Sequence, residues 1–182
     1  MSPNGPHVVV AGLMGVGKST TAAALAAELG WPVRDSDADI DTLVGVSGGT
    51  IAADLGVDEL HRLEAAVLLG ALAAEEPSVI AAAASVVDDP LCRDILGRRS
   101  IVVVLRAGVD ELMARIPTGD HRRSMPRDEL VALATRREPL FSAIADVSLD
   151  ASLPTVELVS AILGSPALRM VPRGDDRDQG RH

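Results

Sequence analysis

HVVVAGLMGVGKSTT, residues 7–21, runs from an apolar triplet through a glycine-rich turn into a helix-forming stretch. Gly12, Gly15, Gly17, Lys18 and Ser19 fill the pattern G-x-x-x-x-G-K-[ST], and Val8 to Val10 supply the buried strand that should precede it. Each residue type has a reason. The glycines let the backbone turn with positive φ and approach an oxyanion with no Cβ in the way, so that successive N–H groups point at a phosphate. Lys18 adds a mobile positive charge, and the Ser19 hydroxyl is a hard oxygen ligand for the Mg²⁺ that accompanies a nucleoside triphosphate. From Ser19 to Leu29 alanine and leucine dominate, which predicts a helix whose positive end faces the phosphates. The plain alternative, a glycine-rich strand-to-helix turn that binds nothing, leaves the completeness of the motif unexplained.

Outward from this segment, 182 residues suffice for one domain that buries roughly 70% of its unfolded surface. Apolar residues make up 47% of the chain, yet Trp31 and Phe141 are its only aromatics, so the core must be aliphatic. So few rings, with a net charge of −9, argue against a nucleic-acid binder, which needs stacking platforms or a basic face. The lone cysteine, Cys92, fits a reducing compartment. The N-terminal residues lack the pattern of a signal peptide, and no apolar run approaches the roughly 20 residues of a membrane span. A cytoplasmic monomer with no membrane partner is expected.

Gly30 is a natural helix stop, and Trp31 to Arg34 predicts a short second strand. Asp35-Ser36-Asp37 follows at once. Residues just past a strand's carboxyl end line the ligand crevice of a parallel α/β sheet, so Asp35 and Asp37 should sit near the phosphates and a metal. Capping the next helix, Ala38 to Val44, is the alternative for both and the preferred role for Asp39. Asp58 to Ala74 has helical spacing, with Leu60, Leu63, Val67 and Leu68 toward the core and His61, Arg62 and Glu64 on a solvated face. Ser78 to Val87 reads as a buried third strand, Asp88 to Leu96 as a helix, Ser100 to Leu105 as a strand and Val109 to Arg115 as a helix. Ile116 to Arg127, IPTGDHRRSMPR, breaks the pattern, and its Arg122, Arg123 and Arg127 suit a basic lid that closes over anionic phosphates. Asp128 to Arg137 predicts a helix, Pro139 to Ile144 a turn, Val147 to Leu149 a fifth strand and Pro154 to Leu163 a closing helix. The tail from Ser165 onward has no periodicity and is expected to be disordered. Alternating strands and helices define an α/β fold: a five-stranded parallel sheet with helices on both faces, in a single domain over residues 1–164 with a lid over about 116–127.

The order of these parts resembles the shikimate kinase family of small P-loop kinases across most of Val8 to Leu163. GLMGVGKST at Gly12 to Thr20, GWPVRDSDADID at Gly30 to Asp41, RLEAAVL at Arg62 to Leu68 and RREPLFSAIAD at Arg136 to Asp146 carry the likeness. The resemblance implies a three-layer P-loop kinase fold that transfers the γ-phosphate of ATP, with Mg²⁺, to a hydroxyl of a small metabolite. It implies that Gly12, Gly15, Gly17, Lys18, Ser19 and Thr20 bind the nucleotide and that Arg115 lies near the adenine. Ser19 would ligate magnesium, with Asp35 supporting the ion through water. Asp37 would meet the acceptor hydroxyl as candidate base, Arg137 would hold a substrate carboxylate, and Arg122 or Arg123 would be the lid arginine that reaches the transferring phosphate.

The acceptor half departs from the family pattern. A carboxylate-pairing arginine on the long helix aligns with His61 and its neighbouring phenylalanine with Leu60, a pocket phenylalanine aligns with Ala52, and a Gly-Gly-Gly turn aligns with Ala83-Ala84-Ser85. A mostly neutral histidine cannot offer the planar fork that binds a carboxylate twice. Alanine would cost about 1–2 kcal/mol wherever left-handed backbone was required. The expectation is a shikimate kinase-like enzyme for which shikimate is a poor substrate; a narrower reading exchanges the acceptor for a nucleoside monophosphate or a sugar acid. The competing class is an ATP-binding regulatory or interaction module with a decayed acceptor site.

Overall fold

The computed structural model describes residues 5–116 and 125–169. Five strands, β1 (His7–Ala11), β2 (Val33–Asp35), β3 (Val79–Ala81), β4 (Ser100–Arg106) and β5 (Val147–Asp150), form one sheet of order β2-β3-β1-β4-β5 in which every pair is parallel. Parallel neighbours need crossovers, and helices provide them: α1 (Lys18–Leu29), α2 (Ser36–Val44), α3 (Gly48–Asp54), α4 (Val57–Ala73), α5 (Pro90–Arg99), α6 (Val109–Arg115), α7 (Arg127–Ile144), α8 (Thr155–Gly164) and the short α9 (Pro166–Arg169).

The period-2 alternation of strand side chains splits the core in two. Val8 and Val10 of β1, with Val79, Ala81, Ile101, Val103 and Leu105, pack against Ala22 and Leu25 of α1 and Leu158 and Ile162 of α8. Val9 and Ala11, with Ile80, Val102 and Val104, face Leu68 and Leu72 of α4, Leu96 of α5 and Phe141 of α7. Both faces of the sheet are therefore covered, and three layers result. With almost no rings available, alanines at 22, 26, 65 and 71 let the helices approach the sheet closely.

Four local expectations are corrected. The second strand is Val33–Asp35 rather than Trp31 to Arg34, because the Trp31 N–H is taken by Ala26 O at 3.0 Å in the turn that Gly30 closes at φ 63°. The third strand stops at Ala81, where β2 ends and offers no further partner, and Ala84–Asp88 coil into a 3₁₀ turn. Residues 127–144 form a single helix through Pro139. An internal proline costs about 3 kcal/mol, and burial of Leu130 on one side and Phe141 on the other offsets it. The tail is ordered at its start, since Pro166–Arg169 are helical and Leu168 is buried in the first core.

Candidate functional site

The phosphate loop leaves β1 at the centre of the sheet, flanked by β3 and β4. Gly12 has φ 140°, and a Cβ there would lie 2.5 Å from the Leu105 carbonyl oxygen, so both conformation and space demand glycine. Gly15 and Gly17 also have positive φ, at 75° and 99°. Gly17 is the N-cap of α1 and supplies no side-chain acceptor, so the first-turn N–H groups have no side-chain cap, and the space beside Gly17 is open to 4 Å. An uncapped helix start behind such a cradle fits an anion. Ser19 and Thr20 stand exposed on that first turn.

Lys18 Nζ donates to Leu13 O at 3.1 Å, which folds the side chain back over the loop. Burial pushes its amine down to about 8, Arg137 adds to the fall, and Asp37, Asp35 and Glu64 pull it back up. A bound polyphosphate adds negative charge at this amine and must raise its pKa again. Mg-ATP binding at pH 8 is therefore expected to take up about half a proton at Lys18, and uptake from this group should vanish near pH 6.5, where the amine is already charged. Calorimetric titrations in buffers of different ionisation enthalpy measure this, and proton release at pH 8 would contradict it.

Asp35 caps α2: its Oδ1 accepts from Asp37 N at 3.0 Å and Ala38 N at 3.5 Å. The capping role is thus realised, and the bonds run to a single oxygen. Asp37 stands exposed on the first turn of α2, and its charge acts on both Lys18 and Glu64. Ser36 holds the two strand ends together, donating to Ala81 O at 3.1 Å and accepting from Ala83 N at 3.3 Å. Asp39 is paired with Arg34 at 2.8 Å, away from this chemistry.

On α4 the expected solvated face holds for Arg62, which is exposed, and is corrected for His61 and Glu64. Glu64 is buried along with Ala65, Leu68, Ala71 and Leu72, while Leu60, Leu63 and Val67 are only half-buried. Ser85 Oγ donates to Glu64 Oε2. Burial raises the Glu64 carboxyl pKa, Asp37 raises it further, and the Ser85 bond opposes both. His61 is half-buried, and burial followed by Arg137 lowers its pKa, so it is neutral near pH 7. The only signal for Glu64 in the sequence is its place four residues before Leu68, on the stripe that turns inward; its partner Ser85 lies 21 residues away and leaves none.

Arg137 is 3% exposed, and its Nε and Nη2 both donate to Asp88 Oδ2, at 3.1 and 2.7 Å. Asp88 carried no signal, because the neighbouring Asp89 caps α5 through bonds to Leu91 N and Cys92 N. The expected strain at Ala83-Ala84-Ser85 is corrected as well. No non-glycine residue among those described has positive φ, and Ala83 sits at φ −59°, ψ 148°, which any residue adopts. Ala52 on α3 is half-buried.

Arg115 donates to Glu111 and, at 3.1 Å, to Ala151 O, which ties α6 to the end of β5. Near it a hollow of about 390 Å³ opens at the carboxyl ends of β4 and β5, lined by Arg106, Gly108 and Asp150 among others. Neither Lys18 nor Asp37 lines it. Arg127 pairs with Asp110 at 2.9 Å. Arg122 and Arg123 lie outside the described residues. Among the described residues no three His, Cys, Asp or Glu side chains converge as a metal site, so a magnesium ion would draw most of its ligands from phosphate and water.

A complete phosphate loop at the centre of a parallel sheet of this order, with carboxylates facing it from the next strand and helix, defines a P-loop kinase. Residues 14–165 match the family model described as shikimate kinase. A shikimate kinase of Chromobacterium violaceum is 34% identical over 164 residues, covering 85% of this chain and 89% of its own, and one from Frankia casuarinae is 32% identical, covering 94% and 77%. A solved shikimate kinase from Acinetobacter baumannii in complex with shikimate superposes with a TM-score of 0.81 at 26% identity, covering 87% of this chain and 90% of that one. A gluconokinase from Sinorhizobium meliloti, at 23% identity and a TM-score of 0.60, shares the fold. The chain belongs to the shikimate kinase family. It is a phosphotransferase that acts on a hydroxyl and uses ATP with Mg²⁺. Among the described residues no helix is long and apolar enough to cross a membrane.

Proposed function

We propose that this enzyme transfers the γ-phosphoryl group of ATP to a hydroxyl of a small polyhydroxylated metabolite held beside Asp37, Glu64 and Arg137, and that shikimate itself is a poor acceptor. One observation carries this reading. Asp37 from α2 and Arg137 from α7 both bear on the charge of Lys18 from α1 and of Glu64 from α4 at the carboxyl edge of the sheet.

Phosphoryl transfer asks mainly for positioning and charge neutralisation. Loop N–H groups from Gly15 to Thr20 cradle the phosphates, and Lys18 exchanges the Leu13 carbonyl for a phosphate oxygen. The Ser19 hydroxyl and the Asp35 carboxylate would hold Mg²⁺, which would supply positive charge against the phosphates. Asp37 accepts a hydrogen bond from the acceptor hydroxyl and orients it for attack. Arg122 or Arg123 reaches the transferring phosphate from a lid over about 116–127, and Arg115 flanks the adenine. The chain acts as one domain that extends to the buried Leu168 of α9, and the protein works as a monomer on small molecules.

His61 in place of a carboxylate-binding arginine removes a charge-assisted hydrogen bond of about 1.5–3 kcal/mol. With no left-handed backbone at Ala83-Ala84-Ser85, no cost of strain is added there. Shikimate is therefore expected to react roughly ten- to a hundredfold below the usual efficiency of about 10⁴–10⁸ M⁻¹s⁻¹. A second reading, shikimate as the ordinary acceptor, is favoured by the relatives, which bear that name. A steady-state assay with purified protein, Mg-ATP and shikimate separates the two, and ordinary kcat/KM would decide for the second. Incubation with a metabolite pool, followed by mass spectrometry for a product one phosphoryl group heavier, tests the kinase reading itself.

A further inference from the structure

We infer that Asp88 is a positioning residue of the acceptor site: it holds the Arg137 guanidinium by one edge, so that the other edge is presented to a carboxylate of the acceptor. The inference rests on the kinase reading above. Arg137 Nε and Nη2 both donate to Asp88 Oδ2, at 3.1 and 2.7 Å, and these two nitrogens form the side-on edge of the guanidinium. A guanidinium carries five N–H groups in one plane. Asp88 takes one from Nε and one from Nη2, and the other three lie at the Nη1–Nη2 end, a second fork that matches the two oxygens of a carboxylate. Arg137 also bears on the charge of Lys18 and of Glu64, which places it beside the reacting groups.

Asp88 sits on a fixed support. It ends the 3₁₀ turn Ala84–Asp88, whose Val86 and Val87 are buried, and the Val87 carbonyl accepts from Arg93 Nη1 of α5 at 2.6 Å. Arg136 Nη2 donates to the same Asp88 Oδ2 at 3.2 Å and steadies it from the exposed side. Burial alone would raise the Asp88 carboxyl, but the bond from Arg137 and the charges of Arg137 and Arg136 hold it below its usual value, so it is ionised at neutral pH. Without this partner the buried guanidinium would turn to another acid, and Glu64, whose charge it already influences, is at hand on α4. The bond to Asp88 thus decides which way the second fork faces, and that orientation is in place before the acceptor arrives.

Shikimate and its primary amide separate the carboxylate contact from the rest of the molecule, because the amide is nearly isosteric and neutral. With purified protein and Mg-ATP, KM for the amide should exceed that for shikimate by about tenfold or more. Asp88→Asn should raise KM for shikimate about tenfold, leave kcat nearly unchanged and leave KM for the amide within about twofold. Asp88→Glu keeps the charge but moves the carboxylate by one methylene, and should raise KM for shikimate several-fold with the amide again unmoved. A purely structural role would shift both compounds alike. An unchanged KM for shikimate, an equal rise for both compounds, or loss of the fold in both variants overturns the inference and leaves the kinase intact. Wild-type turnover of other members of a metabolite pool but not of shikimate does the same. If Mg-ATP binds and nothing in the pool is phosphorylated, the kinase reading falls and the inference falls with it.

Discussion

Lys18→Ala is expected to lower kcat/KM by about 10²–10³, the usual cost of removing one preorganised electrostatic donor from a transferring group. The fold should survive. Among the described residues Lys18 bonds only to a carbonyl of its own loop, and it sits where burial disfavours its charge, at a pKa of about 8, so its loss removes nothing on which the core depends. Matching melting curves without nucleotide, together with a collapse of turnover, are the expected pair of results. Equal turnover in variant and wild type would remove the phosphate loop from the catalytic machinery.

Asp37→Asn should cost about 10²–10⁴ in kcat while leaving the affinity for Mg-ATP nearly unchanged, since the lost carboxylate orients the acceptor hydroxyl and not the nucleotide. The substitution is structurally mild. Asp37 is exposed, and the cap of α2 uses its backbone N–H and the side chain of Asp35, both of which remain. Removing its charge also takes away one of the influences that raise the Glu64 pKa, so any residual activity should keep its dependence on an ionised group down to lower pH. Unchanged kcat with the acceptor at saturation would assign the hydroxyl to another base, and Glu64 would be the group to test next.

The sequence by itself determined the scaffold and the nucleotide half. The phosphate loop is local: its glycines, lysine and serine lie within eight consecutive residues, and positive φ at positions 12, 15 and 17 follows from residue type. The strands were legible because residues buried on both faces must be uniformly apolar, as in Val8 to Val10 and Ile101 to Leu105. Only the tertiary structure decided the acceptor half. Glu64 looked like one more surface acid on an amphipathic helix until Ser85, 21 residues away, was seen to hold it. Asp88 looked like a helix-start residue until Arg137 reached it across 49 positions. Long-range pairs of this kind leave no periodicity and no spacing in the chain, because a charge is read locally as solvated unless its partner is known. The same holds for Ala83-Ala84-Ser85, where the resemblance, which aligns a Gly-Gly-Gly turn there, suggested strain and the backbone, bent into a 3₁₀ turn once β2 ran out, adopted dihedrals that alanine accepts without cost.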